Sequence, residues 1–106
     1  MVDLNTLVTE TGAESGLIFN IDGILVESVN LQYDENIAAM IGMILKMSSE
    51  MSEDIKNGDL KQLMIKNENG IVVANRDSDD TCVALLSKDI SKMGLLLRKM
   101  DTIFKN

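Results

Sequence analysis

The chain has 106 residues, of which 45% are hydrophobic, and its ten basic and seventeen acidic side chains give a formal net charge of −7. This length fits one domain, 1–106, with a hydrophobic core of its own. Nucleic acids and anionic membranes are bound mainly through basic patches, so the acidic balance argues against both as principal partners. An aromatic content of 3% argues further against a stacking surface for single-stranded nucleic acid.

Cysteine usage and hydropathy point to the compartment. The single cysteine, Cys82, excludes an internal disulfide and fits a reducing environment. The residues after Met1 lack the basic, apolar and small-residue order of a secretory signal. The longest apolar run, residues 37–45, falls well short of the ~18 residues that a membrane-spanning helix needs. We therefore expect a cytoplasmic protein without a membrane span.

The first thirty residues predict a short helix and a β-hairpin. Asp3 is a suitable N-cap for a helix that Gly12 would close in a left-handed conformation. Two apolar runs follow and are expected to be strands, at 16–21 and 24–30. The Asp22-Gly23 pair between them is typical of a type I′ hairpin turn.

A long helix is predicted from 34 to 56, with Asp34 as its N-cap and Asn57-Gly58 closing it. At helical spacing its core-facing stripe is Ile37, Ile41, Ile44, Met51 and Ile55. Further residues widen the stripe, with Met40, Met43 and Met47 along one flank and Ala38, Gly42 and Leu45 along the other. One packing face needs only slightly more than ~100° of a helix. We therefore expect this helix to pack twice, most economically against another subunit.

The second half of the chain predicts three more strands and a final helix. The strands are placed at Leu60–Lys66, Ile71–Asn75 and Thr81–Leu86, with a hairpin turn at Asn69-Gly70. Their apolar runs do not alternate, so both faces of the sheet should be covered. Asp89 would cap a last helix in which Ile90, Met93, Leu97, Met100 and Phe104 recur at helical spacing. The predicted fold is α+β, in the order α-β-β-α-β-β-β-α.

This order of elements resembles the roadblock family, which includes dynein light chains and bacterial and archaeal MglB-like domains. The segments that carry the resemblance are Gly16–Ser28, Asp34–Met40, Leu60–Ile65 and Asn69–Val73. Their order, more than any single segment, makes the match, and profilin-like and longin-like domains are the folds nearest to it. The resemblance implies a five-stranded antiparallel sheet with the long central helix on one face and the terminal helices on the other.

The resemblance also implies a homodimer that serves as a docking platform for Ras-like small GTPases. The central helices of two subunits would pack together, and their third strands would pair across the interface. The helix contact would use Ala38, Gly42, Met43, Leu45 and Met47. The strand pairing would use Leu60, Gln62, Met64 and Lys66. Lys46, Glu50 and Glu53 lie on the side of the central helix that is left for water, and they are the candidate GTPase-docking residues. The simpler interpretation of these three is a solvated helix face with an i,i+4 ion pair.

Two other functions fit the same sequence. The first is a structural adaptor, a heterodimer subunit or light chain of a larger complex, whose partner is another roadblock-like protein or a motor-like scaffold. The second is a small-ligand sensor, which would need a pocket between sheet and helix. The crowded small and aliphatic residues give no sign of such a pocket.

The sequence offers no enzymatic centre. It has no histidine, and Cys82 lies among apolar residues, so no nucleophile–base pair is expected. It has no phosphate-binding loop of the Gly-x-x-x-x-Gly-Lys type. Arg76 near a turn and Arg98 on the last helix are not placed as arginine fingers. The aspartates of 77–80 lack the glycine and distal glutamate of a calcium loop. We expect a non-enzymatic protein without a cofactor or metal.

Overall fold

The computed structural model describes residues 3–78 and 80–104. Its elements are α1 (Leu4–Thr11), β1 (Ser15–Asn20), β2 (Leu25–Val29), α2 (Asp34–Asp54), β3 (Gln62–Asn67), β4 (Gly70–Arg76), β5 (Thr81–Ser87) and α3 (Met93–Phe104), with a 3₁₀ turn at Ile90–Lys92. The strands form an antiparallel sheet in the order β2-β1-β5-β4-β3, so that β2 and β3 are its edges. The predicted α+β fold and order of elements are confirmed.

The sheet lies between two layers of helix, as predicted. α1 and α3 cover one face, where Leu96 and Met100 are fully buried. α2 covers the other face, over the fully buried Leu17 and Phe19. The central strand β5 is buried on both faces over 82–85, which accounts for its unbroken apolar run.

The caps of the two terminal helices follow the sequence signals. The Asp3 carboxylate accepts a hydrogen bond from the Thr6 N–H at 3.3 Å, and Gly12 closes α1 with a φ of 75°. Asp89 accepts a hydrogen bond from the Ser91 N–H at 3.0 Å, although the element that it caps is the 3₁₀ turn that leads into α3. Hydrogen bonds from the Ser91 hydroxyl and N–H lower the pKa of the Asp89 carboxyl.

The predicted start of the central helix is wrong in its capping residue. Asp34 is the first residue of α2, and its carboxylate accepts a hydrogen bond from the Ser28 hydroxyl at 2.6 Å. The N-cap is Tyr33, which has a φ of 55° and makes no side-chain capping bond. Asp34 therefore ties the helix to β2 through Oδ2, while its Oδ1 accepts a hydrogen bond from the Glu35 N–H at 2.9 Å.

The predicted end of this helix is also displaced. The first left-handed residue after it is Lys56, with a φ of 59°, although Gly58 is left-handed too. The N–H groups of Lys56 and Asn57 donate to the carbonyls of Glu53 and Ser52 at 3.0 and 2.8 Å. This pair of bonds is the Schellman motif, with a lysine where glycine is usual.

The first hairpin differs from the predicted type I′ geometry. Of the two predicted turn residues only Gly23 has a positive φ, 82°, whereas a type I′ turn requires two. The Asn20 side-chain oxygen instead accepts hydrogen bonds from two N–H groups of the turn, both at 3.0 Å. On β2 the ladder leaves Val26 unpaired between Leu25 and Glu27, as a β-bulge.

The second hairpin turns earlier than predicted. Asn67 pairs with Gly70, so residues 68–69 form the turn. β3 begins at Gln62 instead of Leu60. β3 is the outer strand at the edge opposite β2.

Candidate interaction surface

The side of α2 that packs on its own sheet carries two small and two large apolar residues. Ala38, Ile41, Gly42 and Leu45 are buried there. A β-carbon built on Gly42 would lie 2.8 Å from the Cα of Gly23, so the helix and the β1–β2 turn meet backbone to backbone. Ala38, Gly42 and Leu45, predicted to contact a partner, therefore contact their own subunit. The small side chains allow the sheet and turn to approach on this side.

The opposite side of α2 is apolar and exposed. Its residues, which we call the methionine face, are Met40, Met43, Ile44, Met47, Met51 and Ile55, with exposed fractions of 52, 65, 38, 69, 58 and 56%. Ile44, Met51 and Ile55 were predicted to face the core, and that prediction is wrong. Helical spacing could not distinguish the two sides, since both carry apolar side chains. The predicted second apolar surface is present, and it is the methionine face.

The free edge strand β3 presents different side chains to the two layers. Leu63 pairs with Ala74, which belongs with Leu17 and Phe19 to the buried apolar cluster beneath α2. Ile65 lies on the same side of the strand, because side chains alternate. The predicted Gln62, Met64 and Lys66 point to the α3 side. Their backbone lies on the free edge, but their side chains are not on the side of the methionine face.

Two hydrogen bonds fix the orientation of Gln62. Its Nε2 donates to Asn75 Oδ1 at 3.1 Å and to Asp101 Oδ1 of α3 at 3.3 Å. The predicted Leu60 packs with the cluster beneath α2. The sequence prediction omitted Leu63 and Ile65, which two-residue alternation from Leu63 would have identified.

A charged flank of α2 borders an open groove. Lys46, Glu50 and Glu53 are exposed, and all three line a groove of about 270 Å³. The other charged residues of its lining are Asp22, Lys61 and Arg76. Acidic and basic side chains are equal in number there, so the groove has no dominant charge. Arg76 was not predicted to lie near the docking residues, because β4 is distant from α2 in sequence.

Cys82 lies at the inner end of this groove. Its side chain is buried, as predicted, with 2% of its surface exposed. Burial raises the pKa of the thiol, and the positive charge of Arg76 opposes the shift in part. The thiol is therefore a poor nucleophile at neutral pH.

The described residues contain no group of three or more His, Cys, Asp or Glu side chains arranged to hold a metal ion. Of the aspartates in 77–80, Asp77 and Asp80 are exposed, and Asp79 lies outside the described residues. Within 3–78 and 80–104, no helix combines the length and apolar character needed to cross a membrane.

The Roadblock/LC7 domain family model matches residues 2–87, and the chain belongs to this family. Among curated proteins, none matches the sequence. Similar solved structures include MglB in a tetrameric arrangement, with a TM-score of 0.77 and 12% identity over 96% of this chain and 82% of that one. MglB of Myxococcus xanthus has a TM-score of 0.76 and 8% identity over 94% and 87% of the two chains. A Roadblock/LC7 domain of Streptomyces avermitilis has a TM-score of 0.74 and 15% identity over 96% and 95%. At these identities the likeness establishes the fold.

Proposed function

We propose that the protein is a non-catalytic dimeric platform that binds and regulates a Ras-like small GTPase in the cytoplasm. The observation that carries the proposal is the methionine face on a helix whose other side is already packed. Soluble monomers rarely expose a large contiguous apolar surface. The family membership and the similarity to MglB in a tetrameric arrangement support self-association.

The interface would be formed by the methionine face and the α2 side of β3. Fully burying a methionine side chain contributes about 1.5–3 kcal/mol. Met40, Met43, Met47 and Met51 from two copies would thus help to offset the ~4–15 kcal/mol lost on association. The unpaired N–H and C=O groups along β3 would pair with the same strand of the second copy.

The GTPase would dock on the charged flank of α2. Lys46, Glu50 and Glu53 are exposed on the groove side of α2. Glu50, seven residues after Met43, borders the methionine face, whereas Lys46 and Glu53 lie farther round the helix and would remain accessible in the proposed dimer. The groove beside them would accept side chains of the partner. Any effect on hydrolysis would come from ordering the GTPase's own catalytic groups.

Replacement of Arg76 tests whether this protein supplies a catalytic group of its own to the GTPase, because Arg76 lines the same groove. We expect Arg76→Ala to retain the stimulated hydrolysis rate wherever binding is retained. Loss of stimulation with unchanged binding would assign Arg76 as an arginine finger and refute the non-catalytic role.

Docking is tested by affinity capture followed by binding to the purified GTPase. Tagged protein is incubated with source lysate containing a non-hydrolysable GTP analogue or GDP, and a captured small GTPase is purified. We expect nucleotide-dependent binding that Lys46→Glu and Glu50→Lys weaken. Glu10→Lys is the matched control, since Glu10 is exposed on α1. Equal binding by all three variants would refute docking on this flank.

A structural adaptor paired with another roadblock-like protein is the second candidate. The methionine face favours it, because flexible thioether side chains adapt to differing partners. A chain that is monomeric or aggregated alone, and that captures a scaffold regardless of nucleotide, would support the adaptor. A stable homodimer at low micromolar concentration would support the GTPase platform.

A further inference from the structure

We propose that Met40, Met43, Met47 and Met51 form an oxidation site through which hydrogen peroxide controls self-association. The inference rests on the proposed dimer and adds to it a modification and its chemistry. The sulfur-containing side chains of the described residues differ sharply in their exposure.

Most of the exposed methionines of the described residues lie on α2. The four methionines of the methionine face are more than half exposed, whereas Met100 is fully buried and Cys82 is 2% exposed. Burial also raises the pKa of the Cys82 thiol, which further slows its reaction with peroxide. The remaining exposed methionine of the described residues, Met64, has its side chain on the α3 side of β3. In the dissociated chain, four of the five exposed methionines of the described residues are therefore open to peroxide on one side of α2.

The reaction needs only the thioether and the peroxide. A lone pair of Sδ attacks one peroxide oxygen, the O–O bond breaks and an S–O bond forms. The second oxygen leaves as water after proton transfer. Sulfur loses two electrons and peroxide gains them, so the products are methionine sulfoxide and one water molecule.

The sulfoxide changes what α2 can bury. Its oxygen is a strong hydrogen-bond acceptor, and the neighbouring side chains on the methionine face include the apolar Ile44 and Ile55. Burying that oxygen without a donor in a second copy is costly. The buried side of the helix, with Ala38, Ile41 and Leu45, is not altered. Oxidation would thus weaken association and leave the fold intact.

Association in turn protects the sulfur atoms. In the proposed dimer the four methionines are covered, so peroxide reacts with the dissociated chain. The oxidation rate should fall as protein concentration rises, and each oxidised chain is withdrawn from the dimer. This concentration dependence links the modification to the interface, because a site outside the interface has no reason to show it.

The experiment treats the purified full-length protein with graded hydrogen peroxide. Mass spectrometry locates the sulfoxides, sedimentation equilibrium gives the dimer dissociation constant, and circular dichroism reports the fold. We expect the four α2 methionines to oxidise before Met100. We expect the dissociation constant to rise about tenfold or more with the fold retained. Methionine sulfoxide reductases A and B together should restore association.

Two variants distinguish oxidation of the methionine face from oxidative damage elsewhere in the protein. Replacement of all four methionines by leucine should preserve dimerisation and remove its sensitivity to peroxide. Met64→Leu should leave the sensitivity unchanged. If the methionine face is oxidised and the dimer dissociation constant is unchanged, the inference is overturned but the proposed dimer is not. An untreated, folded chain that stays monomeric would overturn the proposed dimer and the inference with it.

Discussion

Gly42 of α2 and Gly23 of the β1–β2 turn are in backbone contact. A β-carbon on Gly42 would lie 2.8 Å from the Gly23 Cα, and a β-carbon on Gly23 would lie 3.0 Å from the Cα of Ala39. Neither side of the contact consists of a flexible side chain that could move aside. The contact fixes the rotation of α2 on its sheet, and with it the direction of the methionine face.

The first prediction concerns this contact. Gly42→Ala should lower the free energy of unfolding by about 1–3 kcal/mol, since the added methyl group must displace backbone. Gly94→Ala is the matched control, because Gly94 is also helical and has nothing within 4 Å of an added β-carbon. It should raise stability by about 0.5–1 kcal/mol through helix propensity alone. Urea denaturation measures both, and equal effects would contradict the packing argument.

A second prediction concerns the end of α2. Lys56 holds a left-handed φ of 59° at an exposed position. Lys56→Gly should raise the free energy of unfolding by about 0.5–1 kcal/mol, because the strain of a β-carbon in that conformation disappears. Gly58→Ala, at a φ of 86°, should lower it by a similar amount. Thermal denaturation tests the pair, and a stabilising Gly58→Ala would show that this φ is not required.

A third prediction tests the two sides of β3. Ile65→Lys should weaken the proposed dimer about tenfold or more, since it places a charge on the side of the methionine face. Met64→Lys should change the dissociation constant little, because that side chain lies on the α3 side. Analytical ultracentrifugation measures the dimer dissociation constants of the two variants. A larger effect at Met64 would reverse the assignment of sides.

A fourth prediction follows from Cys82. Since burial raises the pKa of the thiol, the folded state holds the proton more tightly than the unfolded state. The corresponding stability is present below the unfolded pKa and is lost as the pH rises through the folded one. Between about pH 7 and about pH 10, the wild type should lose more stability than Cys82→Ala does. Parallel pH slopes in denaturation experiments would contradict this linkage.

Local chemistry in the sequence predicted the elements well and their orientation poorly. The caps at Asp3 and Gly12 and the order of elements along the chain follow from residue type and spacing. The rotation of α2 does not, because both sides of the helix are apolar and the packing that distinguishes them, including the Gly42–Gly23 contact, joins residues distant in sequence. Capping at Asp34 is wrong by one residue, since the left-handed Tyr33 occupies the N-cap and Asp34 is the first residue of the helix. At β3, Leu60 packs beneath α2 but lies before the strand, so alternate residues counted from it are Gln62, Met64 and Lys66 instead of Leu63 and Ile65.

The bulge at Val26 limits how far this sheet can grow. In a dimer joined through β3, both outer edges of the continuous sheet are β2 strands. Val26 interrupts the regular spacing of backbone N–H and C=O groups there, and a bulged edge is a poor template for another strand. In the proposed dimer, strand addition would therefore end at two copies, and the continuous sheet would not propagate into a fibre.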